Sequence, residues 1–250
     1  TRSAGLARLD ADGGRFLRYR NDAEDDASIS ADAITSILEG PGGDLWVGTF
    51  GGGLNRLPAG EGERFERFTS DTDDADAIAS DAVLVLASAG EDALWVGTLG
   101  GGLDRLDIAS GRFEHHRDFD VVGSDAERLQ LDSVTDLLLA SDETLWIGTL
   151  GQGLLRWSPE AVNAGTARVR IYDKAVGMPA DAIYGIVEDG EGLIWSSSNR
   201  GLVRLEPGTG RLRLFDDRNG LRDSEFNNSA RLRAGSGHLL FGGPEGLVRS

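Results

Sequence analysis

The sequence predicts an all-β fold, a β-propeller built from four-stranded blades. Three observations predict it. The stretch Leu45-Trp46-Val47-Gly48-Thr49-Phe50-Gly51-Gly52-Gly53-Leu54-Asn55-Arg56-Leu57 returns as Leu94 to Leu106 and again as Leu145 to Trp157. Weaker copies run from Ile194-Trp195 to Leu205 and from Leu240-Phe241 to Arg249, so the anchor aromatics Trp46, Trp95, Trp146, Trp195 and Phe241 stand 49, 51, 49 and 46 residues apart. Each unit of about fifty residues also holds four short segments that alternate apolar and polar residues between glycine turns, the period-two mark of half-buried strands. A β-helix has shorter repeats, and a sandwich does not repeat its sequence, whereas four strands per unit of this length describe a propeller blade.

Along the chain, Gly5-Leu6-Ala7-Arg8-Leu9 and Arg15-Phe16-Leu17-Arg18-Tyr19 match the third and fourth strands of a repeat, placing strands c and d at 5–20. Complete blades follow at 29–69, 79–119, 131–173 and 181–216, and a partial blade at 226–250. In the partial blade strand a is expected at Ser229 to Leu232, b at Leu239 to Phe241 and c at Gly246 to Val248. The third blade has a longer c–d connection, Ser158 to Ala167. The span 1–250 is thus one propeller domain, either about five blades with a surplus strand or a segment of a seven-bladed ring. No window shows helical periodicity of useful length. The opening at Gly5-Leu6 falls mid-pattern, as in a piece of something longer.

Composition narrows the function classes. The net charge of −17 argues against a nucleic-acid partner, which needs a basic face. The simpler consequence of that charge is solubility. With no cysteine, disulfides, thiolate metal sites and cysteine nucleophiles are excluded. No apolar run approaches the ~18 residues of a membrane-spanning helix. His115 and His116 fall on an outer strand and His238 in a turn. No Gly-x-Ser-x-Gly, His-Glu-x-x-His or phosphate loop occurs. The expectation is a protein that is not an enzyme and needs no cofactor or metal. Asp71-Thr72-Asp73-Asp74-Ala75-Asp76 has the oxygen ligands calcium takes, but lacks the glycine and closing glutamate of a helix-loop-helix site. A solvated acidic loop is the plainer account.

The acidic loop, Ser28-Ile29-Ser30, strand a, a glycine turn, Leu-Trp-Val-Gly-Thr and Gly-Leu-x-Arg-Leu together resemble the two-component regulator propeller repeat. Three complete repeats match closely. The fourth has serines in place of Gly-Thr and Asn199-Arg200 in its turn. Asn219-Gly220-Leu221 through Asn228, with Phe241 through Leu247, resembles the last blade of such propellers. The resemblance implies the sensor domain of a bacterial hybrid histidine kinase or related receptor, periplasmic, with a downstream signalling module and a homodimer as possible partners. It also implies a ligand that is a small polar molecule or glycan.

In a propeller the b–c turns and d–a connections share one face, and loops carry binding in repeat scaffolds. The d–a connections are the acidic stretches 20–32, 70–81, 118–132 and 216–228, read here as loops. Departures between copies single out Gln152, Asn199 and Arg200, with Tyr184 near the start of an inner strand and Asn227-Asn228 before the last blade. These are the candidate ligand-binding residues; repeat drift and side-chain-capped turns are the alternatives. The repeated tryptophans read as blade packing rather than sugar stacking, while Trp157 falls outside that register and looks less constrained. The functional expectation is a non-catalytic ligand sensor. A protein-interaction platform is the alternative, and a propeller lyase or glycan-active enzyme a third.

Overall fold

A strand of four to six residues cannot satisfy its own backbone, and the glycine-rich turns between these segments are short enough to fold each strand back onto the one before it. The computed structural model describes residues 3–9, 13–60, 63–122, 128–158, 168–221 and 224–249. Most of the expected c–d connection at 158–167, and parts of the 118–132 and 216–228 stretches, lie outside them. Hairpin β1 (Leu6–Leu9) and β2 (Phe16–Tyr19) comes first. One blade follows as β3 (Ile34–Glu39), β4 (Leu45–Thr49), β5 (Leu54–Leu57) and β6 (Glu66–Phe68). The next is β7 (Val83–Ser88), β8 (Ala93–Thr98), β9 (Leu103–Asp107) and β10 (Phe113–His116).

After these come β11 (Asp118–Val121) and β12 (Arg128–Gln130), then the blade β13 (Val134–Leu139), β14 (Leu145–Thr149), β15 (Leu154–Trp157) and β16 (Arg168–Tyr172). A fourth complete blade holds β17 (Gly185–Glu188), β18 (Ile194–Ser198), β19 (Gly201–Glu206) and β20 (Arg211–Phe215). The last sheet is three-stranded, β21 (Arg231–Arg233), β22 (Leu239–Gly243) and β23 (Gly246–Arg249). The chain divides into two compact units, 1–115 and 116–250.

Trp46, Trp146 and Trp195 each close a seam between neighbouring sheets of one unit. In the first unit Trp46, fully buried, packs with Leu54 of its own blade and with Ile78, Val83 and Leu86 of the next. In the second unit Trp146 does the same with Tyr172, Met178, Ile183 and Ile186. Its indole is flanked by the cross-strand Arg156 at 5.8 Å, as Trp46 is by Arg56 at 5.5 Å. An aromatic buries about 150–250 Å², so one repeated residue supplies much of each seam. The third glycine of the turn is set by geometry. Gly153 has φ +82, and a Cβ there would stand 2.3 Å from the Tyr172 carbonyl oxygen; Gly53 repeats this with Phe68 at 2.1 Å.

The structure corrects four expectations. The stretch 118–132 is not simply a loop, because β11 and β12 form a hairpin and β11 joins β16 in parallel, making a six-stranded sheet. Trp157 is not loosely held. It is 3% exposed and meets Phe119 of that hairpin edge-on at 5.1 Å. Phe241 does not occupy the tryptophan register. It pairs with Val248 as Val47 pairs with Asn55, so Leu240, opposite Arg249, stands where the tryptophans stand. Two neighbouring apolar residues made the one-residue offset invisible in the sequence. Finally, strand a of the last blade begins at Arg231, because Ser229 takes a left-handed backbone (φ 55) that no strand accommodates.

Candidate functional site

In three of the complete blades the turn between the second and third strands lies beside the connection that follows the fourth. The Gly53 N–H donates to the Asp81 carbonyl at 2.8 Å, Gly153 to Asp181 at 2.8 Å and Gly201 to Ser224 at 2.7 Å. This latch recurs because the glycine backbone points its N–H out of the turn toward the next blade. The acidic composition of these connections is largely structural. Asp22, Asp71 and Asp173 each accept the N–H two residues on, at 3.0, 2.9 and 2.9 Å. Asp32, Asp81 and Asp181 close the connections by accepting from the N–H of Asn21, Ser70 and Lys174. In the stretch weighed above for calcium, Asp71 and Asp74 are turned onto backbone N–H groups and Asp76 pairs with Arg112 at 3.1 Å.

All six sequence-selected residues fall in the second unit. The turn bearing Asn199 and Arg200 adjoins the 224–226 segment, since Phe226 N–H donates to Ser198 at 3.2 Å beside the Gly201 latch. Tyr184 meets the same segment. Its carbonyl accepts from Ser229 N–H at 2.6 Å, two residues beyond Asn227. Tyr184, Asn199–Arg200 and Asn227–Asn228 are therefore gathered on one end of neighbouring sheets. Asn199, Arg200, Asn227 and Asn228 are exposed. None of these four, nor Tyr184, makes a side-chain hydrogen bond among the described residues. Gln152 is placed differently. Its amide donates to the Gln130 carbonyl and its amide oxygen faces Asp132 N–H at 3.5 Å, so it ties down the chain after β12. With Asp132, Ser133, Leu150 and Gly151 it lines a cavity of about 300 Å³.

Sequence reasoning passed over the most heavily bonded polar group nearby. Asp136, fully buried on β13, accepts from Arg231 at 2.8 and 2.6 Å and from Ile186 N–H at 2.6 Å. It thereby links three successive sheets, since Ile186 lies on β17 and Arg231 on β21. Gly185 makes room. A Cβ there would stand 2.8 Å from the Arg231 side chain, and the first unit carries Val85 at the matching register. Burial pushes the Asp136 carboxyl above its usual range, with Arg231 and the Ile186 amide pulling the other way. Ser229 reinforces the junction through its hydroxyl, 3.4 Å from the Thr135 carbonyl. The signal was present: Asp136 and Arg231 break the strand pattern as plainly as Gln152 breaks the turn. His115, by contrast, faces Asp104 at 2.7 Å and the Ala75 carbonyl at 3.0 Å, so both ring nitrogens serve to fasten an acidic connection.

Among solved structures, the extracellular domain of a protein assigned as a hybrid two component system of B. thetaiotaomicron matches 99% of this chain and 31% of its own. Its TM-score is 0.78 and the sequences are 22% identical. A second such extracellular domain from B. thetaiotaomicron matches with TM-score 0.73, 17% identity, and 99% and 39% coverage. At these identities the likeness establishes the propeller fold. A histidine kinase of Formosa agariphila is 32% identical over 72 residues, 29% of this chain and 5% of that protein. The chain therefore spans well under half the length of each of these relatives. Among the described residues no helix is long and apolar enough to cross a membrane. Residues 28–51 match the family model described as the two component regulator propeller, and the Leu-Trp-Val-Gly-Thr strand with which that match ends is the one that returns in the later blades.

Proposed function

We propose that this propeller is the non-catalytic ligand-sensing part of a bacterial two-component-type receptor, held outside the cytoplasm and acting on a downstream signalling module. Its ligand is a small polar molecule or glycan bound at the end of the second unit where Tyr184, Asn199, Arg200, Asn227 and Asn228 gather. One observation carries the reading. Four of these residues expose hydrogen-bonding side chains that make no bond among the described residues, whereas the neighbouring Gln152 and the aspartates of the connections are committed to backbone. Amides and a guanidinium beside an aromatic ring suit hydroxyl and carboxylate groups. Signalling then follows from population shift, since a ligand touching adjacent sheets favours one arrangement of them.

The test is a thermal-shift screen against neutral and acidic sugars. A ligand at about 100 times its dissociation constant adds ~2.7 kcal/mol, which raises the midpoint by roughly 5–10 °C in a domain of this size. Arg200→Ala with Tyr184→Ala should abolish the shift. The exposed turn-tip residues Phe50 and Leu150, 52% and 50% exposed, favour a second reading as a protein-docking platform. Co-purification of a partner, with no midpoint shift from any sugar, selects that reading and overturns the first.

A further inference from the structure

The hairpin that the sequence did not foretell shows how this fold accepts an extra strand. β11 lies parallel to the outer edge of β16, with Asp120 opposite Arg168 and Val121 opposite Val169, and Val122 N–H donates to the Val169 carbonyl at 2.9 Å. The pattern is an Asp118-Phe119-Asp120-Val121 strand laid against an Arg168-Val169-Arg170 strand. β20 repeats the second partner. Arg204 pairs with Arg213 as Arg156 pairs with Arg170, so Arg211-Leu212-Arg213 occupies the register of Arg168-Val169-Arg170. No strand pairs with the outer edge of β20 among the described residues.

The charge at that edge is uncompensated. Among the described residues no acidic side chain comes within ion-pair distance of Arg204, Arg211 or Arg213. Glu206, opposite Arg211, accepts instead from the Thr209 hydroxyl at 2.7 Å. Arg213 lies 4.8 Å over Phe215 and Arg204 5.8 Å over Trp195, so both guanidinium groups meet aromatic rings instead of carboxylates. The blade of β3 to β6 treats the same row otherwise. There Arg56 is met by Asp44 at 2.6 Å and by Glu66, its cross-strand neighbour, at 3.3 Å. On a chain of net charge −17, two arginines without an ion-pair partner at an open strand edge, with Arg204 beside them on β19, attract an acidic strand.

We propose that the outer edge of β20 docks an extended segment of a partner protein, alternately acidic and apolar, which adds as a parallel fifth strand in the register that β11 takes on β16. An acidic residue lies opposite Arg211, an aliphatic one opposite Leu212, and the following N–H reaches the Leu212 carbonyl. Main-chain bonds supply affinity and the arginines select the sequence. A second copy of this chain could offer β11 only by unpairing it from β16, so a partner segment is the occupant.

The probe is a fluorescent peptide with the sequence of residues 117–122, titrated into the protein to millimolar concentration, beside a peptide with lysine for both aspartates. The acidic peptide should bind, should slow amide exchange over Arg211–Phe215, and should bind Arg211→Glu/Arg213→Glu at least tenfold more weakly. The lysine peptide should prefer that variant. Absence of binding by the acidic peptide, or equal binding to both proteins, overturns the proposal. Self-association without peptide that the double variant abolishes would make the occupant a second copy, and overturns it as well.

Discussion

Replacing Arg231 by methionine tests the junction of three sheets most directly. The change keeps an unbranched stem over Gly185 and removes both guanidinium bonds to Asp136, leaving a fully buried carboxylate with the Ile186 amide. Breaking one partner out of a buried ion pair costs about 3–5 kcal/mol, because the remaining charge is left uncompensated. At roughly 2–4 °C per kcal/mol for a domain of this size, the midpoint should fall by about 6–20 °C. The first unit suggests the rescue. Ser36 holds the register of Asp136 and accepts from Leu86 N–H at 3.1 Å, so Asp136→Ser in the Arg231→Met background should regain most of the loss. The pH dependence has a definite sign. The Asp136 carboxyl already sits above its usual value through burial, and losing Arg231 removes its main opposition. A folded value above the unfolded one gives stability present below the unfolded value and lost as pH rises through the folded one. Arg231→Met should therefore lie closest to wild type at acid pH and diverge from it as pH rises. Thermal unfolding across pH reads all of this. A cost below about 1 kcal/mol, as for an exposed pair, would show that the junction does not lock the sheets.

Three further outcomes follow from single contacts. Gly153→Ala forces a side chain into a left-handed turn 2.3 Å from the Tyr172 carbonyl and should cost at least ~2 kcal/mol, read by chemical denaturation. Trp157→Ala should cost about 3–5 kcal/mol and speed amide exchange in β11, whose Phe119 loses its aromatic partner. Lys174 at 2.7 Å holds the Asp181 carboxyl below the usual carboxylate range. Its stabilisation is therefore present above pH ~4 and lost as pH falls through the depressed value, and Asp181→Asn should flatten that acid-side loss in a pH series of unfolding midpoints.

The blades were legible in the sequence because their causes are local. Period-two alternation, a glycine that alone tolerates the turn after β14, and a tryptophan at a fixed place in the second strand of each complete blade are all read within a dozen residues. The shared face of the second-to-third-strand turns and the connections after the fourth strands followed too, since consecutive hairpins must turn alternately at the two ends of a blade. Reading of single side chains was weaker. Gln152 breaks the turn pattern as clearly as Arg200, yet one is bonded to the chain after β12 and the other is exposed. A departure from a repeat marks a changed environment without saying whether the change is inside or outside the protein.

What the sequence by itself determined is the repeating unit, its strands and its turns, because these depend on backbone geometry and on neighbours close along the chain. Tertiary structure alone decided that Arg231 reaches Asp136 across 95 residues, that β11 lays an acidic strand on β16, and that Trp157 is sealed beneath it. In each case the partners are set by how successive sheets stack. Stacking brings together groups whose separation in sequence carries no trace of their contact, and the charge left unmatched at β20 becomes visible only against the matched row around Arg56.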